Sequence, residues 1–242
     1  MKFFITLLKY ILSFLIWTNF WIVFTITSGL TLFLSLFISG RKLDKLVRVV
    51  CTVTTYALFL SPDIHYISGK IKNFPVIYVA NHVSFFDIFL SGTVLEGYPR
   101  GFELKSHFKT PIYGWFITRF GQVPMDSRNK NGVRESFKAA AAILNKKERS
   151  FFIMPEGTRT RTGKLGHFKL GAFYLSRKTG CPIIPVIFKN LYLKNNAVNY
   201  LIRPGKVDIV IGEPILPGQF NTDQEMSEYT WNIMNNILHE SQ

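Results

Sequence analysis

A chain of 242 residues with 48% hydrophobic and 15% aromatic content can bury a core of its own, which excludes an intrinsically disordered protein. Lys and Arg number 29 against 15 Asp and Glu, a formal net charge of +14, yet the mean hydropathy is positive at +0.16. Two cysteines, Cys51 and Cys181, exclude a disulfide scaffold and a cysteine-rich metal site, and fit a reducing compartment.

The apolar excess comes first. Phe3 to Ile38 carries one charge, Lys9, over a length nearly twice the ~20 helical residues that cross a bilayer core. That length predicts two helices rather than one straight one. They form either a membrane-binding hairpin with its turn near Thr18 and Asn19 or within Thr25–Gly29, or one spanning helix and one lying in the interface. A cleaved signal peptide would be shorter and would end on a small-x-small site, which does not follow here. Arg41, Lys42, Lys45 and Arg48, with Asp44 alone against them, place the rest of the chain on the cytoplasmic side of an inner membrane by the positive-inside tendency. Residues 43–60 begin basic and amphipathic and become apolar. They suit either a segment on the membrane surface or a core helix of the domain that follows.

From about Ile71 onward, β-rich runs alternate with helical patterns. Strands are expected at Pro75–Ala80, Phe151–Met154, Ile183–Phe188 and Val207–Ile211, and helices at Ser84–Gly92, Pro111–Arg119, Asn131–Asn145, Phe168–Thr179 and Asp223–His239. The alternation predicts an α/β fold, a mixed central β-sheet flanked by helices. No repeat or Pro- or Gly-rich linker divides it. The expected organisation is therefore an anchor over 1–40, an amphipathic connector over 41–70 and one α/β domain over 71–242.

Two strand ends carry candidate chemistry. After the strand to Ala80 comes Asn81-His82-Val83-Ser84-Phe85-Phe86-Asp87, which places His82 in the turn at a strand's carboxyl end, where α/β sheets hold ligands. Asp87 can fix the His82 tautomer and leave the other ring nitrogen free to accept a proton from a hydroxyl. Ser84 with Asp87 also matches a plain capping box. After the strand at 151–154 comes Pro155-Glu156-Gly157-Thr158-Arg159. A close-approach glycine, a hydroxyl and a guanidinium fork are donors that suit a phosphate, and a solvated basic turn with Glu156 paired to Arg159 fits the same residues.

Between Arg100 and Lys178, seventeen Lys or Arg meet five acids, which is +12 of the +14. The partner implied is anionic, and beside an apolar anchor a lipid surface is nearer than nucleic acid. No G-x-S-x-G elbow, phosphate loop or H-E-x-x-H occurs, and the five histidines show no metal-ligand spacing.

Asn81-His82-x-Ser84-x-x-Asp87 and, about seventy residues on, Pro155-Glu156-Gly157-Thr158-Arg159 resemble the two signature motifs of the phospholipid and glycerol acyltransferase superfamily, with 1-acylglycerol-3-phosphate acyltransferases the most similar members. Lys105-x-x-x-Lys109-x-Pro111-x-x-Gly114-Trp115 with Gly121 and Arg128 resembles the family's middle motif, and Pro182–Val186 its late apolar one. The chain departs at Lys105-Ser106-His107-Phe108, where many members carry Lys-Glu-Leu, and at Met154, where phenylalanine is common.

The resemblance implies that His82, oriented by Asp87, is the general base for acyl transfer to a lysophospholipid hydroxyl. The donor would be acyl-coenzyme A or acyl carrier protein, with no acyl-enzyme, no metal and no further cofactor. By the same resemblance Arg159 holds the acceptor phosphate, Glu156, Gly157 and Thr158 position its glycerol part, and Lys105 and Arg128 contribute to phosphate binding. The expected product is phosphatidic acid, made at an anionic membrane. A different lyso-lipid acceptor, such as a lyso-ornithine lipid, and a non-catalytic protein that binds anionic lipid are the alternatives.

Overall fold

The computed structural model describes residues 2–239. The first element, α1 (Lys2–Leu34), is one continuous helix of 33 residues, so no turn falls at Thr18 or within Thr25–Gly29 as expected. The helical pair forms instead between α1 and α2 (Gly40–Ala57), with the reversal at residues 35–39 and Gly40 at φ +60. Thr18, Asn19 and Thr27 do not break it because each finds a partner within or beside the helix. Thr18 Oγ1 donates to Phe14 O at 2.9 Å, Thr27 Oγ1 to Val23 O at 2.7 Å, and Asn19 Nδ2 to Ala57 O of α2 at 2.7 Å.

Along α1, Ser13, Ile16, Phe20, Phe24, Ser28 and Thr31 are buried at helical spacing, while Phe4, Leu8, Leu15, Ile22, Ile26, Leu30 and Phe33 face outward. In α2, Leu43, Val47, Val50 and Thr54 are buried, so the helix packs on the domain core, with Arg41, Lys42 and Lys45 outward and Arg48 turned to Glu96 and the Leu95 carbonyl. Asp44 is also buried and takes Arg100 Nη2 at 2.5 Å on one oxygen and Arg149 Nη2 at 3.0 Å on the other. Burial draws the Arg100 guanidinium down to about 10, against the pull of Asp44, and its plane lies 3.8 Å from the Phe120 ring. Asp44 and Arg100 are thus not part of a solvated basic face.

The sheet has seven strands: β1 (Leu60–Tyr66), β2 (Ile77–Ala80), β3 (Arg100–Leu104), β4 (Val123–Met125), β5 (Phe151–Ile153), β6 (Ile183–Phe188) and β7 (Gly205–Ile211), in the order β1-β7-β6-β2-β5-β3-β4. Only β6 and β7 are antiparallel. Consequently β6, β2, β5, β3 and β4 run the same way, and their carboxyl ends share one edge.

Tyr78, Ala80, Phe152, Ile184 and Val186 face α1, α2, α3 (Asp87–Val94) and α4 (Tyr113–Phe120). Their neighbours Ile77, Val79, Phe151, Ile153 and Ile183 face α5 (Lys130–Asn145), α6 (Gly171–Thr179) and α8 (Asp223–His239), with the short α7 at Leu191–Lys194. The four strands and five helices read from the sequence are all present, with shifts of up to three residues at their ends. Three strands escaped the pattern. β1 and β4 are edge strands carrying Pro62 and Pro124, and β3 is short and charged, so none shows an apolar run.

Candidate active site

β2 is buried at all four positions and delivers the chain to Asn81, which anchors the turn by pairing with the end of β6. Its Nδ2 donates to Phe188 O at 3.2 Å and its Oδ1 accepts from Phe188 N at 2.9 Å. His82 follows with its side chain 20% exposed. His82 Nδ1 lies 2.6 Å from Asp87 Oδ2, and Asp87 is fully buried at the first residue of α3. The same carboxylate accepts from Val83 N at 3.0 Å and Ser84 N at 3.1 Å, so four residues of turn wrap around it.

The capping-box alternative is present in part and coexists with the His82 contact: the Asp87 carboxylate that meets His82 also accepts from Ser84 N, and Ser84 Oγ accepts from Phe86 N at 3.1 Å while donating to Asn195 Oδ1 at 2.7 Å. Burial raises the Asp87 carboxyl above its ordinary value, and the His82 contact with the two amides works against the shift. A carboxylate so placed keeps the proton on Nδ1 and presents Nε2 as the acceptor. Nε2 has no protein partner among the described residues.

The loop after β5 closes on this turn from the adjacent strand. Glu156 Oε1 accepts from His82 N at 2.7 Å, and Thr160 N donates to His82 O at 2.8 Å, so both backbone groups of His82 are held by the loop that carries Arg159. Glu156 is buried, and its other oxygen accepts from Gly166 N at 2.8 Å. Arg159 makes no ion pair with Glu156, so the pairing considered from sequence does not form. Burial raises the Glu156 carboxyl, opposed by the two amides. Gly157 sits at φ +70, where a side chain would be strained. Gly157 and Thr158 are exposed, the Gly157 amide donating to Met154 O at 3.0 Å, and Arg159 is partly exposed, its guanidinium in no hydrogen bond or ion pair with another described residue.

Lys105 opens the 3-10 turn after β3, and Arg128 lies between β4 and α5, so both stand on the same sheet edge as His82, exposed and without contact to it. The elements thus bring together His82, Asp87 and Glu156 directly, place Gly157, Thr158 and Arg159 in the adjoining loop, and leave Lys105 and Arg128 on the rim. Sequence reasoning missed the positions that hold the turn: Thr160 and Gly166 act through backbone amides, and Asn195 comes from a segment over a hundred residues away.

Two further groups matter as contrasts. Ser84 is buried with its hydroxyl engaged, and burial pushes the Cys51 thiol up to about 12, so neither is an available nucleophile. Asp63, His65 and Asp208 place ligand atoms within 4.8 Å of one another across β1 and β7, a meeting that the scattered histidines did not announce. There, Lys206 pairs with Asp63 at 3.6 Å and Asn190 donates to Asp208 at 2.7 Å.

A family model described as acyltransferase matches residues 64–189. A chloroplast 1-acyl-sn-glycerol-3-phosphate acyltransferase of Brassica napus is 32% identical over 142 residues, covering 58% of this chain and 41% of the relative. The protein of that name from Haemophilus influenzae is 28% identical over 160 residues, covering 65% and 66%. The chain thus spans less than half of the plant relative's length. Among solved structures, the 1-acyl-sn-glycerophosphate acyltransferase PlsC of Thermotoga maritima superposes with a TM-score of 0.83 at 25% identity, over 96% of this chain and 97% of that one.

Proposed function

This chain belongs to the acyltransferase family, and from that premise we propose that it transfers a fatty acyl group from an acyl thioester to the free hydroxyl of 1-acylglycerol 3-phosphate, giving phosphatidic acid. The observation that carries the reading is the His82–Asp87 pair at 2.6 Å, one loop away from Arg159, with His82 Nε2 and the Arg159 guanidinium both unpartnered among the described residues. Nε2 takes the hydroxyl proton as the oxygen attacks the thioester carbonyl, and the imidazolium, balanced by Asp87, returns it to the departing thiol. The donor is acyl-coenzyme A or acyl carrier protein.

Arg159 binds the acceptor phosphate through its fork, with the Gly157 and Thr158 backbone beside it and Lys105 and Arg128 adding charge at the rim. Glu156 acts on His82 rather than on the glycerol. The names of the relatives favour lysophosphatidate over other lyso-lipids as acceptor.

The reading includes the membrane. Phe85 and Phe86, beside His82, lie against Trp17 and Phe20 of α1, with Trp17 and Phe86 centroids 5.1 Å apart, so apolar acceptor tails reach the site along α1. α1 is long and apolar enough to cross a bilayer. From Ser13 to Ser35, however, about 33 Å of helix, it is tied to the domain through Ser13–Ile202, Trp17–Tyr200, Asn19–Ala57 and Arg119–Ser35. Residues 4–12, about 13 Å of helix, are exposed at every position. We therefore read α1 as seated in the cytoplasmic leaflet of the inner membrane rather than spanning it.

The test is purified protein with lysophosphatidate and each acyl thioester, products read by mass. Phosphatidic acid from the parent and none from His82→Ala is the expected result, and equal transfer by both would end the general-base assignment.

A further inference from the structure

Past residue 189, where the family match ends, a hydrogen-bond path returns to the catalytic turn from the far helix. Trp231 lies on α8, which is bound to the core through Met226, Thr230 and Met234. Its indole Nε1 donates to Gly166 O at 2.9 Å. The Gly166 amide donates to Glu156 Oε2 at 2.8 Å, and Glu156 Oε1 accepts from His82 N at 2.7 Å.

We infer that Trp231 is a positioning residue that sets the place of His82 through Gly166 and Glu156. The inference rests on the acyl-transfer reading above. Residues 160–170 form neither helix nor strand, so Gly166 takes its place from tertiary contacts: the buried Phe168, the Lys169 amide on Pro155 O and, at Gly166 itself, the carbonyl bonded to α8. A Cβ on Gly166 would come 2.7 Å from Glu156 Oε2, so a side chain there displaces that carboxylate. If Gly166 drifts, a buried carboxylate loses one of its two donors and swings to recover it, which releases the His82 amide.

Trp231→Phe keeps an aromatic ring and removes the N–H. The loss of one hydrogen bond in the path predicts a fall in kcat of about three- to tenfold, with KM for both substrates unchanged. Gly166→Ala leaves the indole in place, crowds the same carboxylate and should give the same kinetic signature. The decisive measurement is the cycle with Glu156→Gln: once Glu156 is gone, adding Trp231→Phe should cost less than about twofold more. An unchanged kcat in Trp231→Phe, a change confined to KM, or independent multiplication of the two effects overturns the inference. If the parent protein transfers no acyl group, the functional reading has failed instead. The path is then read by hydrogen exchange at the His82 amide, which must be faster in Trp231→Phe than in the parent.

Discussion

At the scale of single residues, the proposed mechanism separates the group that moves a proton from those that hold it still. His82→Ala removes the base and should lower kcat by roughly 10²- to 10⁴-fold without loss of membrane binding. Asp87→Asn keeps the shape but offers an amide where His82 needs an acceptor, so turnover should fall less completely than in His82→Ala. Arg159→Ala should act on the acceptor and raise KM for lysophosphatidate, while KM for the thioester stays put; equal effects on both would remove Arg159 from the phosphate. The raised carboxyl of Glu156 has a pH signature. Its folded value exceeds the ordinary 4.5, so the folded protein retains a proton that the unfolded chain has released, and the stability it contributes is lost as pH rises through that window. Melting curves of the parent and Glu156→Gln, from pH 4.5 upward, should show the parent's relative stability declining with pH. A growing advantage would contradict the sign.

Elements explain why these residues meet. Parallel pairing of β2 with β5 sets the two motif loops side by side at one edge, and the β2–β6 pairing lets Asn81 lock the turn from the other side. The strands and loops that carry His82 and Arg159 are legible in sequence because a buried parallel strand is an unbroken apolar run followed by turn residues. β1 and β4 are not, since an edge strand tolerates proline and polar residues. The turn in the membrane-binding helices was misplaced for a related reason: Thr18, Asn19 and Thr27 read as breakers, yet each satisfies its polar group against a helix carbonyl. α2 is fastened to the sheet by Asp44 between Arg100 and Arg149, all reaching from different elements. Asp44→Asn leaves Arg100 buried without its counter-charge and should cost about 3–5 kcal/mol in denaturant unfolding. A cost near zero would mean water reaches the guanidinium.

Seen whole, the molecule is two-sided. One face of the sheet carries α1 and α2 with exposed Phe4, Leu8, Phe33, Leu36 and Phe37, and the other carries α5, α6 and α8. On the proposed membrane reading, a helix bound to the domain from Ser13 to Ser35 holds the His82 turn against the bilayer surface instead of hanging it from a tether. Leu36→Gln with Phe37→Gln should weaken vesicle flotation while leaving turnover of a short-chain, soluble acceptor intact; unchanged flotation would take the α1–α2 reversal out of the bilayer. By itself, the sequence determined the α/β class, the apolar anchor, the basic region from Arg100 to Lys178 and the motif residues His82, Asp87 and Arg159, because strand runs, turn chemistry and charge are written in neighbouring residues. Only the tertiary structure decided that α1 is unbroken, that Asp44 is buried between two arginines, and that Glu156, Gly166, Asn195 and Trp231 join in hydrogen bonds around the His82 turn. Those facts depend on contacts between residues far apart in the chain and on backbone amides that every sequence possesses.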